Sequence, residues 1–173
     1  MVCNYGGRHP QTLRPSPRCT PTAGAATNRG AYSDAFLDGD VVSDRLVVWA
    51  DRLREPDRLR YTLVVEDDAS VIGFGHTLFD EDPSWGALLD NLHVDHGHKR
   101  CGIGSQLLAS TASAVHSPRT GLYLWVQEQN VAAQRFYEAG GGTCVGRALI
   151  SPPGGVANRL NGVPHKLRYA WNP

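Results

Sequence analysis

Apolar positions along the chain change their spacing several times, and each change marks an element. From Tyr32 onward Phe36 and Leu37, then Val41 and Val42, then Leu46, Val47, Trp49 and Leu53 predict two helical pieces with one apolar stripe, ended in the Pro56 region. The period then falls to two. Leu59–Glu66 is β-branched and alternating, Asp67, Asp68 and Ala69 make a turn, and Val71–Phe79 continues as the second strand of a hairpin. Phe79–Gly86 reads as an acidic loop around Pro83, and Ala87–Val94 as a third strand.

Helical spacing returns with Ile103, Leu107, Leu108, Ala112 and Val115, which share one face. Gly121–Gln127 is a strand of Leu, Tyr and Trp. Asn130–Ala139 is a short helix, stopped by Gly140, Gly141 and Gly142 through the left-handed geometry glycine accepts. Thr143–Ile150 and Lys166–Trp171 predict two final strands around a loop rich in Gly, Pro and Asn. The fold class is mixed α/β (α+β) with one central sheet. Met1–Gly30 has neither period and predicts an irregular N-terminal tail, residues 1–30, before a single domain at 31–173.

A chain of 173 residues suits one core. Its 17 basic and 17 acidic residues cancel, so charge points to neither a nucleic-acid partner nor an anionic membrane. No apolar run approaches the roughly 20 residues of a membrane span, and the first 30 residues offer no signal-peptide core. Cys3, Cys19, Cys101 and Cys144 form no Cys-x-x-Cys pair, which favours free thiols in a cytoplasmic protein.

Candidate chemistry gathers at two places. In the first, the strand Leu92-His93-Val94 runs into Lys99-Arg100-Cys101-Gly102-Ile103-Gly104-Ser105, where a helix begins. Helix starts present unpartnered N–H groups and a positive dipole end, so an anion fits there, and Gly102 and Gly104 let backbone approach it. The turn is not a Walker loop, which needs Gly-x-x-x-x-Gly-Lys-Ser/Thr. Nor is it a dinucleotide fingerprint, whose third glycine would stand at Leu107. In the second, Asn130 and Tyr137 lie seven residues apart on one helical face. A plain helix cap and a core aromatic are the simpler readings of that pair. Tyr123 and Trp125 read as core. His93, His96 and His98 with Asp95 sit on a strand end and tight turn, where three rings do not converge on a metal, so no metal site is expected. Asp80, Glu81 and Asp82 beside Trp85 read as a solvated turn or as an attractor for a cationic amine.

Together, the two constellations resemble the GNAT N-acetyltransferase superfamily. Lys99 to Gly104 match its Arg/Gln-x-x-Gly-x-Gly/Ala motif after a Leu-x-Val strand, and Asn130 to Tyr137 match its Asn-x-x-Ala-x-x-x-Tyr helix, followed by glycine. Lys99 departs from the motif by replacing Arg or Gln. The resemblance implies a mixed, mostly antiparallel sheet flanked by helices, and transfer of the acetyl group of acetyl-CoA to a primary amine. It implies that Leu92, His93 and Val94 pair with the pantetheine arm and that Lys99, Arg100, Cys101, Gly102, Ile103, Gly104 and Ser105 cradle the pyrophosphate. It further makes Asn130 a cofactor contact and Tyr137 the acid that protonates the leaving thiolate. The glutamate base of the histone-acetylating branch falls near Leu88, so Asp90, two residues on, is the candidate base, acting through a water. The family's first strand is not found in Met1–Gly30, so that edge of the sheet is expected to be altered. A non-catalytic acyl-CoA-binding module is the alternative, and a homodimer stays open.

Overall fold

The computed structural model describes residues 2–4, 29–53, 57–68, 70–115 and 121–171. Seven strands form one sheet: β1 (Val2–Asn4), β2 (Arg60–Asp67), β3 (Ser70–Asp82), β4 (Gly86–Val94), β5 (Leu122–Gln127), β6 (Thr143–Leu149) and β7 (His165–Trp171). Their spatial order is β1-β2-β3-β4-β5-β7-β6, and every pairing is antiparallel except β4 with β5. The α-helices of the described residues are α1 (Asp34–Asp38), α2 (Val41–Leu53), α3 (Ile103–Ala114) and α4 (Val131–Ala139). Among them no helix is long and apolar enough to cross a membrane.

Two expectations need correction. The acidic loop at Phe79–Gly86 is mostly strand, because β3 runs on to Asp82, which pairs with Gly86. Asp82 folds its own carboxylate over the turn, accepting from the N–H of Ser84 at 2.8 Å and of Trp85 at 3.1 Å. An acidic run therefore serves as a tight turn, which composition alone reads as open loop. The sheet also has its first edge strand, since Val2–Asn4 pairs with Leu63–Val65. Three residues are too few to display a period of two. The rest of the stretch expected to be irregular, residues 5–28, lies outside the described residues, as do Pro56 and Ala69.

Side-chain alternation gives the sheet two unlike faces. On one, Leu63, Val65, Ile103 and Leu107 pack together, and Ala87, Leu89, Leu122, Leu124, Val126 and Tyr169 join Leu108 and Tyr137. This is the face that α3 and α4 cover. On the other, Trp49 of α2 meets Phe74 and His76 edge-on, with centroids 5.3 and 5.4 Å away. Here α1 and the β6–β7 loop are buckled together. Ser33 N–H donates to Arg159 O and Asn161 N–H to Ala31 O, both at 2.9 Å. The Arg159 guanidinium pairs with Asp44 at 2.8 Å and lies 4.7 Å from the Phe36 ring.

His76 has no accessible surface. Its Nδ1 lies 2.8 Å from Thr62 Oγ1, and its Nε2 has no hydrogen-bond partner among the described residues. Burial, then the nearby Arg52, push its pKa from 6.5 down to about 4, against the opposing pull of Asp90. The unfolded chain therefore binds a proton that the fold refuses between those two values. Stability is whole above pH 6.5 and falls with pH by about 3 kcal/mol on reaching pH 4. Urea unfolding across this window should show the loss in the wild type and a much flatter profile in His76→Leu. Equal slopes in both would place the titration elsewhere.

Candidate active site

Among the described residues the parallel strands β4 and β5 pair at Ala87–Leu122 and Leu88–Tyr123, next to an Ala87 N–H bond to Gly121 O at 3.0 Å. Just beyond, Thr77 of β3 faces Leu89 while His76 faces Asn91, so Asp90 is an extra residue in β4. A bulge bends and twists its strand, and this one coincides with the parting of β4 from β5. Past it, β4 keeps its pairing to β3 through Val94 but has no strand partner on its other edge among the described residues. The backbone groups on that edge are donors and acceptors inside the sheet, suited to an extended ligand arm.

Beyond Val94 the chain turns sharply into α3. Asp95 Oδ2 accepts from Gly97 N–H at 3.1 Å and lies 3.2 Å from His98 Nδ1, closing a 3-10 turn at His96–His98. Arg100 (φ 65°) and Gly102 (φ 80°) are both left-handed. Gln106 N–H makes a bond to Gly102 O at 3.0 Å, so the amides of Ile103, Gly104 and Ser105 lie ahead of it in the first turn. Gly102 supplies no side-chain cap. Lys99, Arg100 and Cys101 are exposed around this uncapped start. The two glycines serve different ends. A Cβ on Gly102 would touch nothing within 4 Å, so φ alone demands glycine there. A Cβ on Gly104 would lie 3.3 Å from the Phe136 ring, so glycine there brings α3 close to α4.

Helix α4 is pinned at both ends. Asn130 caps it, Oδ1 accepting from Ala133 N–H at 3.1 Å, which confirms the simpler reading and leaves its Nδ2 donors. Gln134 Nε2 donates to Glu128 O at 2.6 Å, and Arg147 holds Glu128 through Nε and a terminal nitrogen at 2.9 and 2.8 Å. At the far end only Gly141 (φ 85°) is left-handed; Gly140 and Gly142 are there for contact. A Cβ on them would lie 2.9 Å from Leu108 and 2.8 Å from the Trp171 ring. Between these ends Tyr137 is buried among Phe136, Tyr169 and Trp171, with ring centroids 5.1, 6.3 and 6.1 Å away. Burial pushes its pKa up to about 12. Its hydroxyl has no hydrogen-bond partner among the described residues, nor is it among the sealed polar atoms. It lies on the face beneath the parting strands.

The predicted β4 residues divide between the faces. Leu92 and Val94 pack toward α3, while His93 turns the other way, its ring 5.8 Å from Phe74. Burial, followed by Lys99, lowers the His93 pKa, so the ring is neutral at pH 7. Toward the cleft these three residues offer backbone. Asp90 points to the α2 side, where Arg52 meets its Oδ2 at 2.7 Å. Arg52 and Phe136 were not anticipated. Arg52 stands three residues after Trp49 and its guanidinium lies 5.2 Å from that ring, a helical spacing that could have paired them. Tyr123 is buried as expected, but Trp125 is only partly covered, and both lie on the face away from α3 and α4.

The chain belongs to the acetyltransferase (GNAT) family, whose model matches residues 27–142. No curated protein sequence matches it. Among solved structures, a Bacillus anthracis protein assigned as a streptothricin acetyltransferase, in complex with acetyl coenzyme A, superposes with a TM-score of 0.56. Identity is 20%, over 69% of this chain and 64% of that one. The ribosomal-protein-S18-alanine N-acetyltransferase of Escherichia coli gives 0.55 at 20% identity, covering 72% and 74%. Arabidopsis thaliana NAA60 with a bisubstrate analogue gives 0.53 at 18%, covering 81% and 82%. At such identities the likeness is one of fold.

The left-handed turn makes a direct prediction. Gly102→Ala should cost about 1–2 kcal/mol although nothing crowds the new methyl, and Gly102→Asn less. Urea midpoints of the two variants check the order; equal midpoints would mean that φ does not constrain the position.

Proposed function

We propose that the protein transfers the acetyl group of acetyl-CoA directly to a primary amine of a small molecule or a protein. The parting of β4 from β5 carries this reading. It leaves an open backbone edge on β4, which runs on into the uncapped start of α3, with Tyr137 buried on the same face of the sheet. The residues fit the cofactor: nothing crowds the backbone at Gly102, and the edge of β4 is unpaired where an extended arm would lie.

Bound acetyl-CoA supplies a thioester for the amine to attack and a thiolate to depart. The amides of Ile103, Gly104 and Ser105, with Lys99 and Arg100, hold the pyrophosphate at the helix start; Cys101 lies in the same turn. The backbone of Leu92, His93 and Val94 aligns the pantetheine arm and donates to the carbonyl oxygen as it gains charge. Asn130 contacts the cofactor through the Nδ2 donors that its cap leaves over. Tyr137 donates its proton to the departing sulfur. A tyrosine raised to about 12 is a reluctant acid toward a thiol of ordinary pKa near 8.5. Burial beside Tyr137 would raise the thiol as it raises the tyrosine, which would narrow the difference between the two. Asp90, with Oδ2 on Arg52, offers its other oxygen to a water that takes the amine's proton. The unpaired Cys101 and Cys144 fit a reducing cytoplasm.

A panel of amines read by free-thiol release tests the transfer. Tyr137→Phe is expected to lower kcat by about 10²–10⁴-fold while acetyl-CoA still binds; undiminished release would remove Tyr137 as the acid. Release with no amine, in wild-type protein that acetyl-CoA stabilises against heat, would leave a non-catalytic binding module. For Asp90→Ala, the expected outcome is a kcat reduced by about tenfold or more and partly restored by added formate. A stability loss without formate rescue would make Asp90 a structural partner of Arg52.

A further inference from the structure

On the face away from α3 and α4, β5 presents Tyr123 and Trp125, and β7 presents Lys166 and Arg168. The Arg168 guanidinium lies 4.5 Å from the Trp125 ring, 4.7 Å from Trp85 and 5.4 Å from Tyr123. Lys166 Nζ stands 4.6 Å from the other side chain's neighbour, the same Trp125 ring. Aromatic faces favour cations, but they accept no hydrogen bonds of ordinary strength. Arg168 Nε is sealed from solvent and has no hydrogen-bond partner, and neither cation has a carboxylate partner among the described residues. Burial, then the neighbouring Arg168, lowers the Lys166 pKa. Of the acidic groups nearby, Asp82 holds its own turn and Asp90 is on Arg52, while Glu81 is exposed and forms no ion pair with either cation among the described residues.

The position matters for transfer. With acetyl-CoA held on the side of α3 and α4, as proposed above, this face is the one left open to an acceptor at the gap between β4 and β5. Trp125 is on the strand bordering that gap, and Arg168 is its partner one strand further, roughly 5 Å away. An anion seated on Arg168 and Lys166 would stand one strand away from the strand that borders the gap.

We propose that Arg168 and Lys166, framed by Trp85, Tyr123 and Trp125, are the anion-binding subsite of the acceptor, and that the amine acetylated is a small one carrying its own carboxylate. This rests on the transfer reading above. It also reverses the expectation drawn from Asp80, Glu81 and Asp82, because the charge facing the gap selects an acid on the acceptor rather than a polycation.

Matched pairs separate charge from shape: L-lysine with cadaverine, L-phenylalanine with phenethylamine, and phosphoethanolamine as the phosphate arm. Binding to the full chain loaded with CoA is followed by tryptophan fluorescence, and CoA release from acetyl-CoA is measured on the same panel. The carboxylated member of each pair should bind about ten- to a hundredfold tighter. Arg168→Gln should erase that preference while leaving the decarboxylated amines and acetyl-CoA unaffected. Should that variant not fold, Lys166→Gln is expected to reduce the preference in the same direction. Phosphoethanolamine binding above both amino acids would assign the subsite to phosphate instead of carboxylate. Wild-type protein that binds decarboxylated amines equally well, or variants that weaken both members alike, would overturn the proposal. Release with cadaverine alone keeps the transfer reading and removes the subsite; carboxylate preference in fluorescence without release does the reverse.

Discussion

Everything in this molecule's candidate chemistry depends on two adjacent parallel strands that stop pairing. Sheets normally satisfy their backbone groups by continuing the ladder, and a gap in the interior of one carries a cost unless something else fills it. Here the gap opens where Asp90 adds a residue to β4. The same bulge bends the strand and turns Asp90 toward Arg52 of α2. One inserted residue thus marks where the strands separate and carries a carboxylate beside that point.

The gap also explains the division of labour between the two faces. On one side α3 begins at the end of β4 and α4 packs against it through Gly104 and Phe136, with Tyr137 buried on the same face. On the other side α2 covers β3 through Trp49, whereas β5 and β7 present aromatic rings and cations. In the proposed reading, one side holds a long anionic ligand along its length. The opposite side is small, aromatic and positively charged, a setting for a compact partner.

Much of this was legible in the sequence, for a physical reason. Long elements with a clear period, such as Val41–Leu53 and Ile103–Ala114, announce themselves because burial repeats along them. Motif glycines are equally visible, although the role of Gly104 was not: its contact is with Phe136, across a helix pair that spacing cannot show. Val2–Asn4 was missed because three residues carry no period, and Asp82 because a carboxylate bonded to its own turn looks like a solvated one. The bulge at Asp90 was hidden for a deeper reason. An extra residue is defined only relative to a partner strand, and pairing is absent from a single sequence. Arg168 was half visible, since alternation sets it opposite Tyr169, but the rings that surround it come from β5 and the β3–β4 turn.

The strand order has a consequence for how the protein is made. β7 lies between β5 and β6, yet it follows both in the chain. During synthesis β5 and β6 emerge first with no partner between them, each showing an edge that another chain can join. Tyr137 must wait as well, since Tyr169 and Trp171, which wall it in, arrive on that same late strand. Because β7 is the strand partner of β6 and walls in Tyr137, this half of the sheet completes its packing only with β7 in place.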